Sequence, residues 1–241
     1  MAAAAGGIRS RMQSLDMLAN NLANASTDGY KVDHEFYSTY IAQGIDDESE
    51  SSTGEMPVMQ KPWTDFSQGT IQPTGHPLDI AISGPGFFGL NGPSGPLYTR
   101  DGNFKLSNTG TLTNSAGYPV RLTGGGTLTL HSQAPIEISS SGEIRQNEKT
   151  LGQLELTDFA NTRELEKAGS ATFKASRKAG ATPAKDVEVQ QGAIETSNVV
   201  VSESAVRLVT LMRHYESLQK AINVANQMNQ ESITEIARIN S

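Results

Sequence analysis

NNLANASTDGYK, residues 20–31, is the stretch on which the reading of this fold turns. Asn20, Asn21 and Asn24 crowd it, and Asp28-Gly29 closes it. Asn costs roughly 0.6 kcal/mol against Ala inside a helix. Yet the residues leading into it keep helical spacing. Ile8, Met12, Leu15, Ala19 and Leu22 step by 4, 3, 4 and 3. At about 100° per residue they share a seam about 80° wide, like the a/d stripe of a coiled coil. The spacing predicts a helix that stops at the Asp-Gly turn signal.

The other end of the chain carries the same signal. Leu208, Leu211, Tyr215, Leu218, Ile222 and Ala225 step by 3, 4, 3, 4 and 3. Ser202 is placed to cap such a helix, with Glu203 in the first turn where negative charge suits the helix dipole. Glu216 and Lys220 form a favourable i,i+4 pair. A helix is predicted over about 202–238.

Between the ends the texture changes. Residues 44–55, GIDDESESSTGE, are acidic and serine-rich, which reads as a solvated loop. A calcium site would need defined oxygen spacing and a turn glycine inside the run, and this run lacks that pattern. From about 68 to 190 the chain reads as strands and turns. Leu78, Ile80 and Ile82 alternate with polar or small residues, and a Phe87-Phe88 pair follows. DG at 101–102, NTG at 108–110 and SAG at 115–117 each separate short apolar runs, as hairpin turns do. Leu128 and Leu130, Ile136 and Ile138, then Leu154 and Leu156 continue the period of two. A small, irregular, mostly antiparallel β domain is expected. Its patterning is self-contained, so residues 60–190 are expected to fold alone.

Composition narrows the function. The 241 residues carry a net charge of −7, with 23 Gly, 10 Pro and no Cys. A negative chain argues against nucleic acid as partner. The lack of cysteine removes disulfides, thiolate nucleophiles and cysteine-ligated metals. No apolar run of about 18 residues exists, so no membrane insertion is expected. MAAAAGG at the start has neither the basic region nor the apolar core of a cleaved signal peptide.

Catalytic constellations do not emerge. His34, His76, His131 and His214 lie far apart in unrelated contexts, without metal-ligand spacing. GGG at 124–126 has no following Lys-Ser/Thr or helix and reads as a turn, not a phosphate loop. Asp158 and Asp186 are a carboxylate pair only in the sense that any acidic chain offers one. No serine sits in a GxSxG elbow. Asn24-Ala25-Ser26 matches a glycosylation sequon at a helix end, where the match is accidental. No catalytic residue, cofactor-binding residue or metal ligand is assigned, and no cofactor is expected.

Several blocks together resemble a family. ANNLANASTDGYK (19–31) is similar to the N-terminal signature of the flagellar rod, hook and hook-associated proteins. QGTIQPTGHPLDIAISGPGFF (68–88), YTRDGNFKLSNTGTLTNSAGYPV (98–120) and LGQLELTDFAN (151–161) resemble its central blocks. QGAIETSNVVVSESAVRLVTLMRHYESLQKAI (191–222) resembles its C-terminal signature. The blocks occur in the family's order and span nearly the whole chain. Val200 stands where many relatives carry a second Asn, and the residues before Ile8 are shorter than the family's usual opening. The chain is too short for the hook type. The short segment between the first signature and QGTIQ favours the proximal rod type, with the distal rod type as the alternative.

The resemblance implies an α+β fold and a structural role. Residues 1–30 and 191–241 would form an axial domain in which the N- and C-terminal helices pair as an antiparallel, coiled-coil-like unit. Residues 31–67 would be an extended linker with the acidic loop, and 68–190 the β domain. It implies a non-enzymatic subunit of the bacterial flagellar basal-body rod, a hollow helical shaft that transmits motor torque and is required for motility. Its partners would be itself, other rod and hook proteins, and the flagellar type III export apparatus, which exports such chains unfolded and without a cleaved signal.

The asparagines then acquire a reading. Taking the seam as 0°, Asn20 and Asn24 lie near 120° and 160° and Asn21 near 220°, with Gln13, Met17, Ser10 and Ser14 on the same polar, nearly uncharged face. Gln219, Asn223, Asn226 and Gln230 step by 4, 3 and 4 along the C-terminal helix. Amides both donate and accept, and their partial burial carries no ion desolvation. Such faces suit contacts between neighbouring subunits or the lining of a channel. The competing reading for Asn24 alone is a tolerated helix end. Two other classes stay open at this point: a secreted binding module, which would not need amphipathic termini, and an enzyme, which would need a pocket of convergent titratable groups.

Overall fold

The computed structural model describes residues 2–35, 37–41, 55–59, 62–130 and 135–239. Most of the acidic run, at 44–54, and His131 lie outside the described residues. The chain divides into two compact units. One comprises Met1–Leu22, Asp33–Trp63 and Val200–Ser241, the other Ala23–Val32 and Thr64–Val199.

The first unit contains helix α1 (Ala2–Ala23), helix α2 (Val201–Ile239) and a hairpin of Tyr37–Ile41 with Glu55–Met59. The α+β class holds, but the two helices do not form the expected antiparallel coiled-coil-like pair. Length gives one reason. At about 1.5 Å per residue α1 spans about 33 Å and α2 about 58 Å, so much of α2 has no α1 beside it even in principle. Burial gives the other. Of the eleven seam residues only Leu211 is buried; Met12, Ala19 and Ala225 are exposed, and the rest are half-buried. A coiled coil would bury its a and d knobs.

The second unit is built on a six-stranded antiparallel sheet. Its order is Leu165–Lys167, Thr172–Ala175, Gly95–Thr99, Phe87–Gly92, Leu156–Phe159, Ala181–Pro183. Because side chains alternate along a strand, the adjacent Phe87 and Phe88 face opposite sides of the sheet. Phe88 joins one cluster with Ile80, Ile82, Leu90, Phe104 and Ile144. Phe87 joins another with Tyr98, Phe159, Leu165 and Phe173. Edge-to-face ring contacts stiffen both: Phe88 to Phe104 at 5.2 Å, Phe87 to Phe159 at 5.6 Å.

Smaller ladders complete the unit. Ile136–Ile138, Glu143–Gln146 and Lys149–Gln153 form a three-stranded sheet. Its second hairpin turns through Asn147 and Glu148, both in the left-handed region, as a two-residue primed turn requires. Near the C-terminal end of the unit, Glu188–Gln191 pairs with Ile80–Ser83, and Ala193–Glu195 with Ile71–Pro73. The last segment of the unit is thus threaded onto strands from its beginning. Among the described residues no helix is long and apolar enough to cross a membrane.

Candidate assembly surface and its buried ionic clasp

Helix α1 buries Ser10, Ser14, Leu18 and Asn21, which step by 4, 4 and 3. At about 100° per residue this line lies about 120° round the helix from the 8–22 apolar seam. Ser14 Oγ donates to the carbonyl of Ser10 at 3.2 Å, the back-bond open to a serine inside a helix. Asn21 explains one of the crowded amides. Its Nδ2 donates to the Asp33 carbonyl at 2.8 Å and its Oδ1 accepts from the Asp33 N–H at 3.1 Å. The side chain therefore mimics a strand partner and ties residue 33 back to the helix. Gln13 and Asn20 are exposed, and Asn24 is half-buried.

Helix α2 has apolar surface on two sides. Leu208, Leu211, Tyr215, Leu218 and Ile222 mark the more protected side. Val206, Val209, Val224 and Met228 are exposed, Val206 to 67% and Val224 to 56%. At about 100° per residue these four share a sector about 100° wide, centred about 160° from the other seam. Gln219, Asn223, Asn226 and Gln230 are exposed along the same helix, and Gln219 Nε2 donates to the Tyr215 hydroxyl at 3.0 Å.

The second unit carries a different constellation. After α1 the chain turns at residues 24–29, with the Thr27 N–H and hydroxyl both on Asn24. Gly29 holds φ +65, and a Cβ there would stand 2.1 Å from the backbone nitrogen of Asp101, so only glycine fits. This turn delivers Lys31 to the interior. Lys31 and Glu195 have side chains at 0% exposure, with Nζ 2.6 Å from Oε1. Oε1 also accepts from the Gly69 N–H at 2.8 Å, and Oε2 meets Arg100 at 3.1 Å. Lys31 donates further to the Ser67 carbonyl, and Arg100 to the Gly84 carbonyl. Asn198 accepts from the Val32 N–H and donates to the carbonyls of Asp65 and Ser67. Lys167 closes the outside, donating to the Lys31 carbonyl and standing 4.2 Å over the Tyr30 ring. Burial pulls the Lys31 ammonium below its ordinary pKa range, although Glu195 opposes this.

One carboxyl beside the clasp carries a cost at neutral pH. Burial, joined by the charges of Asp28 and Asp79, raises the Asp101 pKa to about 6, against the pull of the Asn103 N–H. A carboxyl whose folded pKa is raised favours folding below its unfolded pKa, and this contribution is lost as pH rises through 6. Its share makes the folded chain about 1 kcal/mol more stable at pH 5 than at pH 7. Urea midpoints at the two pH values are expected to show this in the wild type. They should show less of it in Asp101→Asn, which keeps the acceptor for Asn103 and removes the charge.

No catalytic geometry appears among the described residues. No group of His, Asp and Glu there could hold a metal ion. Asp158 and Asp186 line one open depression with Pro85, Thr182, Pro183 and Lys185, with no histidine beside them. The first unit displays exposed apolar helix surface, and the second is closed by buried charges.

The β unit is flanked in sequence by two terminal helices, one with apolar surface on opposite sides. Comparison gives the family. Residues 1–31 match the model described as flagella basal body rod protein, 81–146 the flagellar hook protein FlgE/F/G D1 domain, and 190–235 the flagellar basal body rod FlgEFG protein C-terminal. The chain is 30% identical to the flagellar basal-body rod protein FlgF of Caulobacter vibrioides, covering 95% of this chain and 94% of that one. It is also 30% identical to FlgG of Bacillus subtilis, covering 94% and 95%. The chain belongs to the flagellar basal-body rod protein family. Lys31, Gly69, Arg100 and Glu195 fall in four separate signature blocks, so the clasp is the physical junction of those blocks. Sequence reasoning missed it; the available hint was a single charge at the edge of an apolar run, Lys31 in GYKV and Glu195 in GAIET.

Proposed function

We propose that this chain, a structural subunit of the flagellar rod, builds the shaft by burying in neighbouring copies the helix surface left open on α2. The observation that carries this is the second apolar side of α2. A helix so exposed on opposite sides gains little from folding alone, since helical stability comes mainly from packing. The amides Gln13, Asn20, Asn24, Gln219, Asn223, Asn226 and Gln230 serve the same contacts or line the bore. Asn21 instead holds the chain's own backbone. In this reading the chain is not an enzyme, needs no cofactor, and reaches the basal body through the flagellar type III apparatus without a cleaved signal.

Within the rod the proximal, FlgF-like position is favoured. Identity is equal for the two types, but gaps differ. The alignment to the Caulobacter FlgF runs over 229 residues at 95% of this chain, which leaves almost no insertion. That to the Bacillus FlgG runs over 250 residues at 94%, so FlgG carries stretches this chain lacks. Deleting the gene is expected to stop swimming, and imaging of basal bodies should show rods ending near the inner membrane. A short proximal rod lacking only its outer part would assign the distal position. Normal swimming would overturn the reading.

A further inference from the structure

The order in which the clasp residues occur along the chain has a consequence for folding. Lys31 and Arg100 come first, and Glu195 comes after nearly everything else in the unit. Among the described residues Glu195 is the sole carboxylate in ion-pair contact with either cation. The segment that brings it does more. Glu188–Gln191 and Ala193–Glu195 supply strand partners to Ile80–Ser83 and Ile71–Pro73. The Glu195 carbonyl accepts from the Gly29 N–H at 2.7 Å, and the Asn198 amide satisfies backbone groups of Val32, Asp65 and Ser67.

We propose that residues 188–199 act as a completion latch, with Glu195 its bolt: contrary to the expectation that residues 60–190 fold alone, the second unit stays open until this segment arrives, and then closes at once. Without Glu195 the unit must bury an ammonium and a guanidinium with only carbonyl and aromatic partners, a penalty comparable with the whole stability of a small domain. Absence of the whole segment also leaves the edges of Ile80–Ser83 and Ile71–Pro73 without these partners. Any process that handles the chain from its N-terminus meets an unfolded polymer until the last fifth is released. That use, keeping the chain threadable during export, rests on the rod-subunit reading; the latch itself does not.

The test begins with the full chain carrying a protease site at Lys185-Asp186, both exposed. It is folded, cut, and its two pieces separated in urea. After dilution, the 1–185 piece alone is expected to give no cooperative melt. Adding the 186–241 piece should restore one, and the same piece carrying Glu195→Gln should bind at least about 100-fold more weakly. A cooperative melt of 1–185 alone, or equal rescue by the Glu195→Gln piece, overturns the latch. The uncut Glu195→Gln chain needs no inserted site and gives a second reading. Its Gly29 and Val32 amides should lose exchange protection, and protection equal to wild type would also overturn it. Neither measurement involves motility, so failure of the latch and failure of the rod reading are separable.

Discussion

Glu195→Ala is expected to lower the unfolding free energy of the chain by about 3–5 kcal/mol, the range for removing one member of a buried charge network. The carboxylate joins Lys31, Arg100 and the Gly69 N–H. Its loss leaves two buried cations and one buried donor without their acceptor. The cost comes from what remains behind more than from the lost attraction. Lys31→Met is expected to cost less, because Glu195 keeps Arg100. The double variant Lys31→Met, Glu195→Ala should lose less than the sum of the two, since the pair acts as one network. Urea midpoints at unchanged m-value supply the readout. Single-variant effects that simply add, within about 0.5 kcal/mol, would show that the charges do not cooperate.

The second large effect concerns assembly. Val206→Glu with Val224→Glu is expected to abolish polymerisation and swimming while leaving the isolated chain's stability within about 0.5 kcal/mol of wild type. Both valines are already exposed in the single chain, at 67% and 56%, so the chain gives up almost no contact of its own. If the same side is buried in the assembled shaft, each change removes roughly 1.5 kcal/mol of apolar burial and adds the desolvation of a carboxylate. Together these should raise the concentration needed for assembly more than about a hundredfold, since every 1.4 kcal/mol is a factor of ten. Sedimentation of purified chain beside a swimming assay measures both. A variant that swims and sediments like wild type would remove the second side of α2 from the assembly surface.

Much of the β unit was legible before the structure. Ile80 and Ile82 alternate with small residues because their strand is covered, and NTG and SAG mark real turns. DG at 101–102 closes no hairpin; Gly102 there lies against the Ile80 carbonyl, where a Cβ would clash. Helix spacing likewise announced α1 and α2. Periodicity reports that a helix has an apolar side; it does not name the partner that covers it. Assigning that cover to the other terminal helix was the step that failed. It also gave no weight to Ser10 and Ser14, small side chains that permit close packing and are buried, while Met12 is exposed. The clasp was illegible for another reason. Lys31 and Glu195 stand 164 positions apart, and a single charge beside an apolar run has no period to detect.

The split of Phe87 and Phe88 between two clusters has a mechanical meaning. In many layered proteins two packed regions meet across side chains alone, and a sideways load can slide one past the other. Here strand Phe87–Gly92 contributes to both, one ring upward and the next downward. Relative displacement of the clusters must therefore distort the peptide backbone and its ladders to Gly95–Thr99 and Leu156–Phe159. Covalent geometry resists such distortion far more steeply than apolar contact does. For a component of a rotating shaft, this removes a slip plane from the middle of the β unit.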